Sequence, residues 1–363
     1  MLTKGDDYPL HQTPEPIAYA DAERNFYDRY FFNGYSADGS VFFAAAMGIY
    51  PALDIIDASF CLLVDGVQHN VRASRRMGFE RLDLSVGPVR VKIVEPLEKL
   101  RIVVSGNDSP ITADIVFDAR HAPIEEPRFI RRNGPRIFMD YTRLTQNGGW
   151  SGTISLDGTD YALDPATHRG TRDRSWGIRP VGAGDSQPPP LGAMPQFYWL
   201  WTPLNFDDHT VFFHSNDDGE GEGWNRRAVV CPVGGEEREF DGIGYDVSYA
   251  SGTRRVERLA VDLAEDAKLV LKPGDLNFYM SGLGYMHPDW GHGRDHGAFK
   301  TAYDAIDTAS VNGMEQLYIH IQALAEAALT LGGEEHRGTG VVEQLFIGPH
   351  ASSGLSGMMD PAG

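Results

Sequence analysis

Side chains that alternate between apolar and polar constrain the fold of this chain more than any other feature. In residues 112–120 the odd-numbered positions are apolar, namely Ala113, Ile115, Phe117 and Ala119. A period of two is typical of a strand with one buried face, and residues 89–93 show it as well. Asp-Gly pairs at 38–39, 65–66, 157–158 and 241–242 readily adopt the positive φ angles of tight hairpins. The sequence therefore predicts short antiparallel strands in a sandwich or barrel.

Residues 314–331 carry two conflicting signals. They are rich in Ala, Leu and Glu, yet apolar residues such as Leu317, Ile319 and Ile321 alternate with polar ones. Because periodicity outweighs propensity where the two disagree, we predict a strand here.

Composition narrows the classes of function. The 363 residues include 32 Lys and Arg against 51 Asp and Glu, a formal net charge of −19. A surface this acidic repels phosphate backbones and anionic lipids, so we expect neither nucleic acid nor a membrane as partner. The first residues lack the order of a signal peptide. The two cysteines, Cys61 and Cys231, lie in apolar stretches, and buried free thiols favour a cytoplasmic location.

A segment rich in proline and glycine divides the chain. Residues 180–195 hold five prolines and three glycines, a composition typical of a linker or a long loop. We predict an N-terminal β domain over 1–180, a linker over 181–195, a C-terminal β domain over 196–350 and a flexible tail over 351–363.

The first candidate for chemistry is the segment 172–179, Arg-Asp-Arg-Ser-Trp-Gly-Ile-Arg. Asp173 is a candidate catalytic residue that would orient an arginine. Arg174 or Arg179 would bind an anion or hydroxyl of a substrate, and Trp176 would line an apolar cavity. The structural alternative is an ion-pair corner that closes the end of a barrel.

The second candidate is the segment 285–296, which contains three of the twelve histidines. His287 and Asp289 are the candidate acid–base pair, because imidazole transfers protons near neutral pH and a carboxylate fixes its tautomer. Tyr285 is a further catalytic candidate, and Trp290 and His292 are candidates for substrate binding. The structural alternative is a loop whose histidines only make hydrogen bonds.

The pair His287-x-Asp289 also matches the start of an iron site with two histidines and one carboxylate. Its third ligand would be His320, His336 or His350. This spacing is short and common, so we predict no bound metal.

The third candidate is the aromatic run 197–201. Alternation places Phe197, Trp199 and Trp201 on one face of a strand and Tyr198 on the other. Such a stripe is either core or the lining of a cavity for an apolar ligand. The residues considered for substrate binding are Tyr198, Trp199, Trp201 and the nearby His214.

Motifs for cofactors are missing from the sequence. It has no Walker loop, no His-Glu-x-x-His and no Gly-x-Ser-x-Gly elbow, and the glycines at 338–340 lack the third glycine of a dinucleotide site. We therefore predict a protein without a cofactor.

The segment 172–179 resembles the Asp-His-x-Trp-Gly signature of the AttH/CrtC-like superfamily, which includes carotenoid 1,2-hydratases. Residues 284–293, 338–348, 30–33 and 63–66 are similar to further segments of a bacterial branch of that superfamily. The resemblance implies an all-β fold of two tandem lipocalin-like (calycin) antiparallel barrels. It also implies chemistry on hydrophobic molecules, such as hydration, cyclisation or isomerisation, without a redox cofactor.

This chain departs from the hydratase pattern in two places. Arg174 stands where the signature has a His, and no Tyr-x-Asp occurs between 177 and 210. We therefore expect the proton donor in the 285–296 segment, which would meet the 172–179 segment at one cavity.

Two classes of function follow. The first is a lyase (hydratase or dehydratase) or isomerase that acts without a cofactor, by acid–base chemistry, on a hydrophobic terpenoid-like or aromatic molecule. The second is a non-catalytic carrier or sensor of hydrophobic ligands. A non-haem iron enzyme is a third and weaker hypothesis.

Overall fold

The structure is a computed structural model that describes residues 1–184 and 196–362. Most of the predicted linker, residues 185–195, lies outside the described residues, and the predicted domain limits remain a prediction. In the described part, the strands before residue 185 are Phe26–Ser36 (β1), Phe42–Tyr50 (β2), Ile55–Val64 (β3), Val67–Arg76 (β4), Ser85–Val86 (β5), Val89–Glu95 (β6), Lys99–Val104 (β7), Ile111–Ala119 (β8), Ile124–Glu125 (β9), Phe129–Asn133 (β10), Arg136–Leu156 (β11), Thr159–Leu163 (β12) and His168–Ile178 (β13).

The strands after residue 195 are Phe197–Phe206 (β14), His209–Asp217 (β15), Gly223–Pro232 (β16), Arg238–Phe240 (β17), Gly244–Tyr249 (β18), Val256–Ala264 (β19), Ala267–Tyr279 (β20), Phe299–Asp307 (β21), Ile321–Leu331 (β22) and Glu334–Ile347 (β23). Short 3-10 turns lie at Lys4–Asp7, Pro51–Leu53, Met280–Leu283, Thr308–Ser310, Gln316–Tyr318 and Ala351–Ser353. The described residues contain no helix that is long and apolar enough to cross a bilayer.

The strands form two curled antiparallel sheets, each a half-barrel. The first has the order β21-β4-β3-β2-β1-β13-β11-β8-β7-β6-β5, with β9, β10 and β12 also paired to β11. The second has the order β17-β16-β15-β14-β23-β22-β20-β19-β18. The prediction of an all-β fold with two lipocalin-like halves is confirmed.

Two of the Asp-Gly pairs form the predicted hairpin turns, and part of the ambiguous segment 314–331 is a strand. At the β3–β4 turn, Asp65 has φ 50° and Gly66 has φ 76°, and the β11–β12 turn repeats this with Asp157 at 50° and Gly158 at 81°. These are the positive angles that a two-residue hairpin requires. The predicted strand over 314–331 is confirmed for 321–331, whereas Gln316–Tyr318 forms a 3-10 turn instead.

One segment of the second half of the chain crosses to the first sheet. After β20, the chain forms the turn Met280–Leu283, continues as a loop, and pairs as β21 with β4. Arg72 of β4 holds the turn, since its Nε donates to the Gly282 carbonyl at 2.9 Å and its Nη1 pairs with Asp304 of β21. The 284–298 loop therefore spans from one sheet to the other.

Apolar side chains pack in three large clusters. One fills the first half-barrel around Phe43 and Trp150, and one fills the second around Phe213 and Phe346. The third lies between the sheets and includes Phe31, Phe42, Trp199, Trp201 and Phe278 among its members. Both sheets therefore bury two faces, and the layer between them contains the cavity described below.

Candidate active site

A cavity of about 540 Å³ lies in the layer between the two sheets. The first sheet lines it with strands β1, β11 and β13, the second with β14 and β23, and the 284–294 loop covers one side. Aromatic and sulfur side chains make up much of the wall: Phe31, Met139, Tyr141, Phe197, Trp199, Trp201, Met280, Tyr285 and Met286. This volume and lining suit a small hydrophobic molecule.

Strand pairing aligns the polar side chains of the first sheet in rows. Across β1, β13 and β11, Arg29, Ser175 and Arg143 are register partners, and Asp173 pairs with Thr145 in the next row. These residues are odd-numbered and share one face, because side chains alternate across a strand. That face is directed at the second sheet.

A buried ion pair forms one wall of the cavity. Both oxygens of Glu126 accept hydrogen bonds, from Arg143, from the Thr145 hydroxyl and, at 3.2 Å, from the Trp201 indole. Burial raises the pKa of Glu126, but the Arg143 charge and the nearby His214 outweigh it and the pKa is lowered. Glu126 is therefore an anion that holds Arg143 in place, and Arg143 itself lines the cavity.

A second glutamate on the opposite sheet holds a histidine. Glu343 Oε1 lies 2.8 Å from His320 Nε2 and accepts from the Trp199 indole at 3.0 Å, while Oε2 accepts from Gln322 at 2.6 Å. His320 is buried, and its Nδ1 has no partner among the described residues. Glu343 and His320 therefore form a hydrogen-bonded dyad in the cavity wall.

Asp173 places a buried carboxyl in the cavity wall. Its carboxyl lines the cavity and makes no side-chain hydrogen bond within the described residues. Burial raises its pKa to about 7, Arg143 opposes the rise, and the anions Glu126 and Glu343 reinforce it. A carboxyl in this state is half protonated near neutral pH and is suited to give a proton.

His287 lines the cavity with a fixed tautomer. Its Nδ1 accepts from the backbone amides of Asp289 at 3.1 Å and Trp290 at 3.0 Å, so the ring proton lies on Nε2. Burial, aided by Arg72, lowers the pKa of His287. The ring is therefore neutral at physiological pH.

His292 lies deeper in the same loop. Its Nδ1 is 3.1 Å from Arg179 Nη2 and its Nε2 is 3.1 Å from the Leu283 carbonyl. Since arginine can only donate, Nδ1 accepts and Nε2 carries the proton. Burial, followed by the charges of Arg29 and Arg179, holds the pKa of His292 well below its ordinary value. His292 therefore positions Arg179 and does not serve as an acid.

The 172–179 and 285–296 segments do meet at this cavity, although the chemical roles of their residues remain predictions. The sequence-predicted residues that line it are Asp173, Arg179, Trp199, Trp201, Tyr285, His287 and His292. Those that are not among the lining residues are Arg174, Trp176, Tyr198, His214, Asp289 and Trp290.

Strand alternation explains most of the residues outside the lining. Arg174 and Trp176 lie on the opposite face of β13 from Asp173, where Arg174 pairs with Asp28 and Trp176 is 40% exposed. Tyr198 packs in the second half-barrel against Phe346, at 4.3 Å between ring centroids. These positions are separated from the cavity by the backbone of their own strand.

The other three lie behind or outside the wall. His214 is buried behind the wall, with Nε2 2.8 Å from the Asn225 oxygen and Nδ1 4.0 Å from Glu126 Oε2. Asp289 is exposed, and its backbone amide, not its carboxyl, contacts His287. Trp290 stacks on His296 at 4.0 Å between centroids.

Sequence reasoning missed Glu126, Arg143 and Glu343, and considered His320 only as a metal ligand. Each lies in a segment without a motif, and each acquires its role from strand pairing. One available signal was the charge of Glu343 in the run 340–347, where Gln344 is the other polar residue, since an isolated carboxylate in a buried strand needs a partner.

The residues that could hold a metal lie elsewhere. Among the described residues, one group of three potential ligands comes together, Asp208, His209 and His336, and none of the three lines the cavity. The predicted third ligands His320 and His350 are engaged with Glu343 and with Ser353 and Asp217.

Solved structures with the same fold cover nearly the whole chain. Kievitone hydratase from Nectria haematococca matches with a TM-score of 0.53 at 14% identity over 88% of each chain. A protein assigned as AttH from Nitrosomonas europaea matches with a TM-score of 0.52 at 13% identity, over 90% of this chain and 97% of that one. The complex of CghA with Sch210972 matches with a TM-score of 0.50 at 11% identity over 89% of each chain. No curated protein matches this sequence.

The chain thus has the AttH-like fold of two lipocalin-like halves, which is the fold that the sequence resemblance implied. Within that class, the chain belongs to DUF8625, a family of unknown function whose profile matches residues 2–356.

Proposed function

We propose that this protein is a lyase of the hydratase or dehydratase type, or an isomerase, that acts by acid–base chemistry on a hydrophobic small molecule. The observation that carries the proposal is the Asp173 carboxyl, held at a pKa of about 7 in the wall of an aromatic cavity. An acid whose pKa is near the working pH combines availability of the proton with acid strength.

Asp173 is the proposed proton donor. In hydration, its proton forms a new C–H bond with one carbon of an alkene, and the adjacent carbon becomes cationic. A water molecule then forms a C–O bond to that carbon and releases a proton. Dehydration runs through the same steps in reverse, and loss of a different proton from the cation gives an isomer.

The dyad of His320 and Glu343 is the proposed base. Glu343 holds Nε2 of His320 at 2.8 Å, which leaves Nδ1 to accept the proton released by water or carbon. The carboxylate also stabilises the imidazolium that forms. Asp173 and His320 regain their starting states by exchange of one proton with solvent.

Aromatic walls would shelter a cationic intermediate. Phe197 and Trp199 both line the cavity, with ring centroids 6.5 Å apart. An aromatic face stabilises a desolvated cation by about 2 kcal/mol. One of the similar structures is named a hydratase, which supports the same reaction class.

The competing hypothesis is a carrier that binds hydrophobic ligands without changing them. A container for neutral apolar ligands gains nothing from ionisable groups in its wall, because burying them is costly. This chain places Asp173, Glu343, His320 and Arg143 around the cavity, and that cost favours catalysis over storage.

The test is incubation of the purified protein with a panel of terpenoid and phenolic alkenes and alcohols. We expect gain or loss of one water, or an isomer, detected by mass spectrometry with chromatography. Asp173→Asn should lower turnover by about 10²–10⁴-fold, whereas Asp114→Asn, which removes an exposed carboxylate of the same sheet, should not. Recovery of every bound ligand unchanged would refute catalysis and support the carrier.

A further inference from the structure

We propose that one end of the cavity is a subsite for an acidic oxygen, so that the substrate is a hydrophobic organic acid with a carboxylate or an acidic enol. This inference rests on the proposed use of the cavity as a substrate site. The subsite is formed by Arg179, which lines the cavity, and by Arg29 behind Tyr285.

Arg179 has aromatic neighbours where a structural arginine would have carboxylates. Its Cζ lies 4.3 Å from the Tyr27 ring centroid and 6.0 Å from that of Tyr285. Its Nη2 donates to the neutral His292, and its Nε is buried without an acceptor in the described part of the chain. No carboxylate among the described residues pairs with it. Its charge is therefore uncompensated within that part of the protein.

Arg29 is a second arginine with an aromatic neighbour and unpaired N–H groups, and it is deeply buried. The side chain is 2% exposed, and neither Nε nor Nη2 has an acceptor among the residues described. Its Cζ lies 5.2 Å from the same Tyr285 ring centroid. Buried guanidinium groups with unpaired N–H donors are rare, because the donors lose water and gain nothing in return.

Asp57 is the carboxyl on which both arginines act, and it can balance at most one of their two charges. One oxygen accepts from the Tyr50 hydroxyl at 3.3 Å and the other from the Gly293 amide at 2.8 Å. Burial raises the pKa of Asp57 despite the opposing charges of Arg29 and Arg179. This end of the cavity therefore carries a net positive charge.

The carboxyls of the cavity lie on the side of Asp173. Asp173 is on β13 and Arg179 directly follows that strand, and Glu126 and Glu343 act on Asp173. Arg143 also lies on the Asp173 side, but Glu126 pairs with it, so Arg179 is the lining guanidinium that has no carboxylate partner among the described residues, and guanidinium recognises planar oxyanions by paired hydrogen bonds. An acidic group held at Arg179 would direct the hydrophobic remainder of the molecule towards Asp173.

The test compares ligands that share a skeleton and differ only in the acidic group. Binding of farnesoic acid against its methyl ester, and of 4-hydroxycoumarin against its methyl ether, is followed by quenching of tryptophan fluorescence. We expect at least one acid to bind about 10- to 100-fold more tightly than its neutral counterpart. Arg179→Gln should abolish that preference, and Arg90→Gln, which removes one exposed positive charge, should leave it intact.

The two acids distinguish a carboxylate subsite from an enolate subsite. Equal affinity for acid and neutral ligand in both pairs, or a preference that survives Arg179→Gln, would overturn the inference. So would a preference lost in Arg174→Gln but kept in Arg179→Gln. Because the readout is binding, selective binding of acids without turnover would refute the proposed reaction and leave this subsite standing.

Discussion

Nε2 of His320, the residue directly before β22, lies 2.8 Å from Oε1 of Glu343 on β23. The contact determines which nitrogen of the imidazole is available, since Nε2 is engaged and Nδ1 is not. Trp199 donates to the same oxygen at 3.0 Å. The geometry therefore holds the His320 imidazole in one tautomer beside Trp199, in the wall of the cavity that Asp173 also lines.

The protonation state of Asp173 predicts the pH dependence of turnover. Its pKa is raised to about 7, and the proposed step needs the protonated form. For hydration, which needs a protonated Asp173 together with an unprotonated His320, we expect kcat/KM to fall about tenfold per pH unit above about pH 7. The measurement is a pH profile of kcat/KM for the wild-type protein. A profile that rises through neutral pH would contradict the role of Asp173 as donor.

The same shift predicts how stability changes with pH. Because the pKa of Asp173 is about 7 in the folded protein against 3.8 ordinarily, the unfolded chain releases this proton first as pH rises. The destabilisation grows from about pH 4 and is complete above about pH 7, and it amounts to at most about 4 kcal/mol. Asp173→Asn should therefore raise the free energy of unfolding at pH 8 but not at pH 4, in urea titrations.

The control for that measurement is Asp114, a carboxyl whose pKa is shifted in the opposite direction from that of Asp173. Hydrogen bonds from Arg101 lower the pKa of the exposed Asp114, so its stabilisation is present above its ordinary pKa and lost as pH falls. Asp114→Asn should leave stability at pH 8 unchanged or slightly reduced. An increase at pH 8 in both variants would show that the effect does not arise from Asp173.

Removal of the Glu343 charge should lower the pKa of Asp173. Glu343 raises the pKa of Asp173, so Glu343→Gln should move the alkaline limb of the kcat/KM profile down by about one pH unit. Turnover should also fall, because His320 loses the carboxylate charge that would stabilise its imidazolium form. Glu326→Gln, an exposed glutamate on β22, is the matched control and should leave the limb in place.

Two tryptophans that the sequence treats alike should respond differently. Trp201 is 1% exposed and donates to Glu126 at 3.2 Å, so Trp201→Phe leaves a buried anion short of a donor at a cost of about 1–3 kcal/mol. Trp176 lies exposed on the other face, and Trp176→Phe should stay within about 0.5 kcal/mol of wild type. Denaturant unfolding at constant pH measures both. Equal losses would contradict the assignment of faces.

Much of this site could be predicted from local pattern. Alternation along 197–201 correctly separated Trp199 and Trp201 from Tyr198. The same rule applied to 172–179 would have separated Asp173 and Arg179 from Arg174 and Trp176, although we considered the segment as one cluster. The 285–296 loop has no such rule, because a loop lacks a fixed period. There, the sequence predicted His287 at the cavity but not the exposure of Asp289.

Long-range pairs could not be predicted in this way. Glu126 and Arg143 are 17 residues apart, Glu343 and His320 are 23 apart, and Glu126 and Trp201 are 75 apart. Each pair depends on the register between strands or on the packing of one sheet against the other. Neither is encoded in the spacing of residues along a single segment.

The sequence by itself determined that the chain is all-β and which side chains share a strand face, because alternation is a local property of extended backbone. Only the tertiary structure decided which of the two faces of β13 and β14 encloses the cavity. Both faces of β14 are largely buried, one inside the second half-barrel and the other between the sheets, and β13 carries charged side chains on both of its faces. Hydrophobicity alone therefore cannot distinguish them, and the packing of the two sheets brought Asp173, His320 and Arg179 around one space.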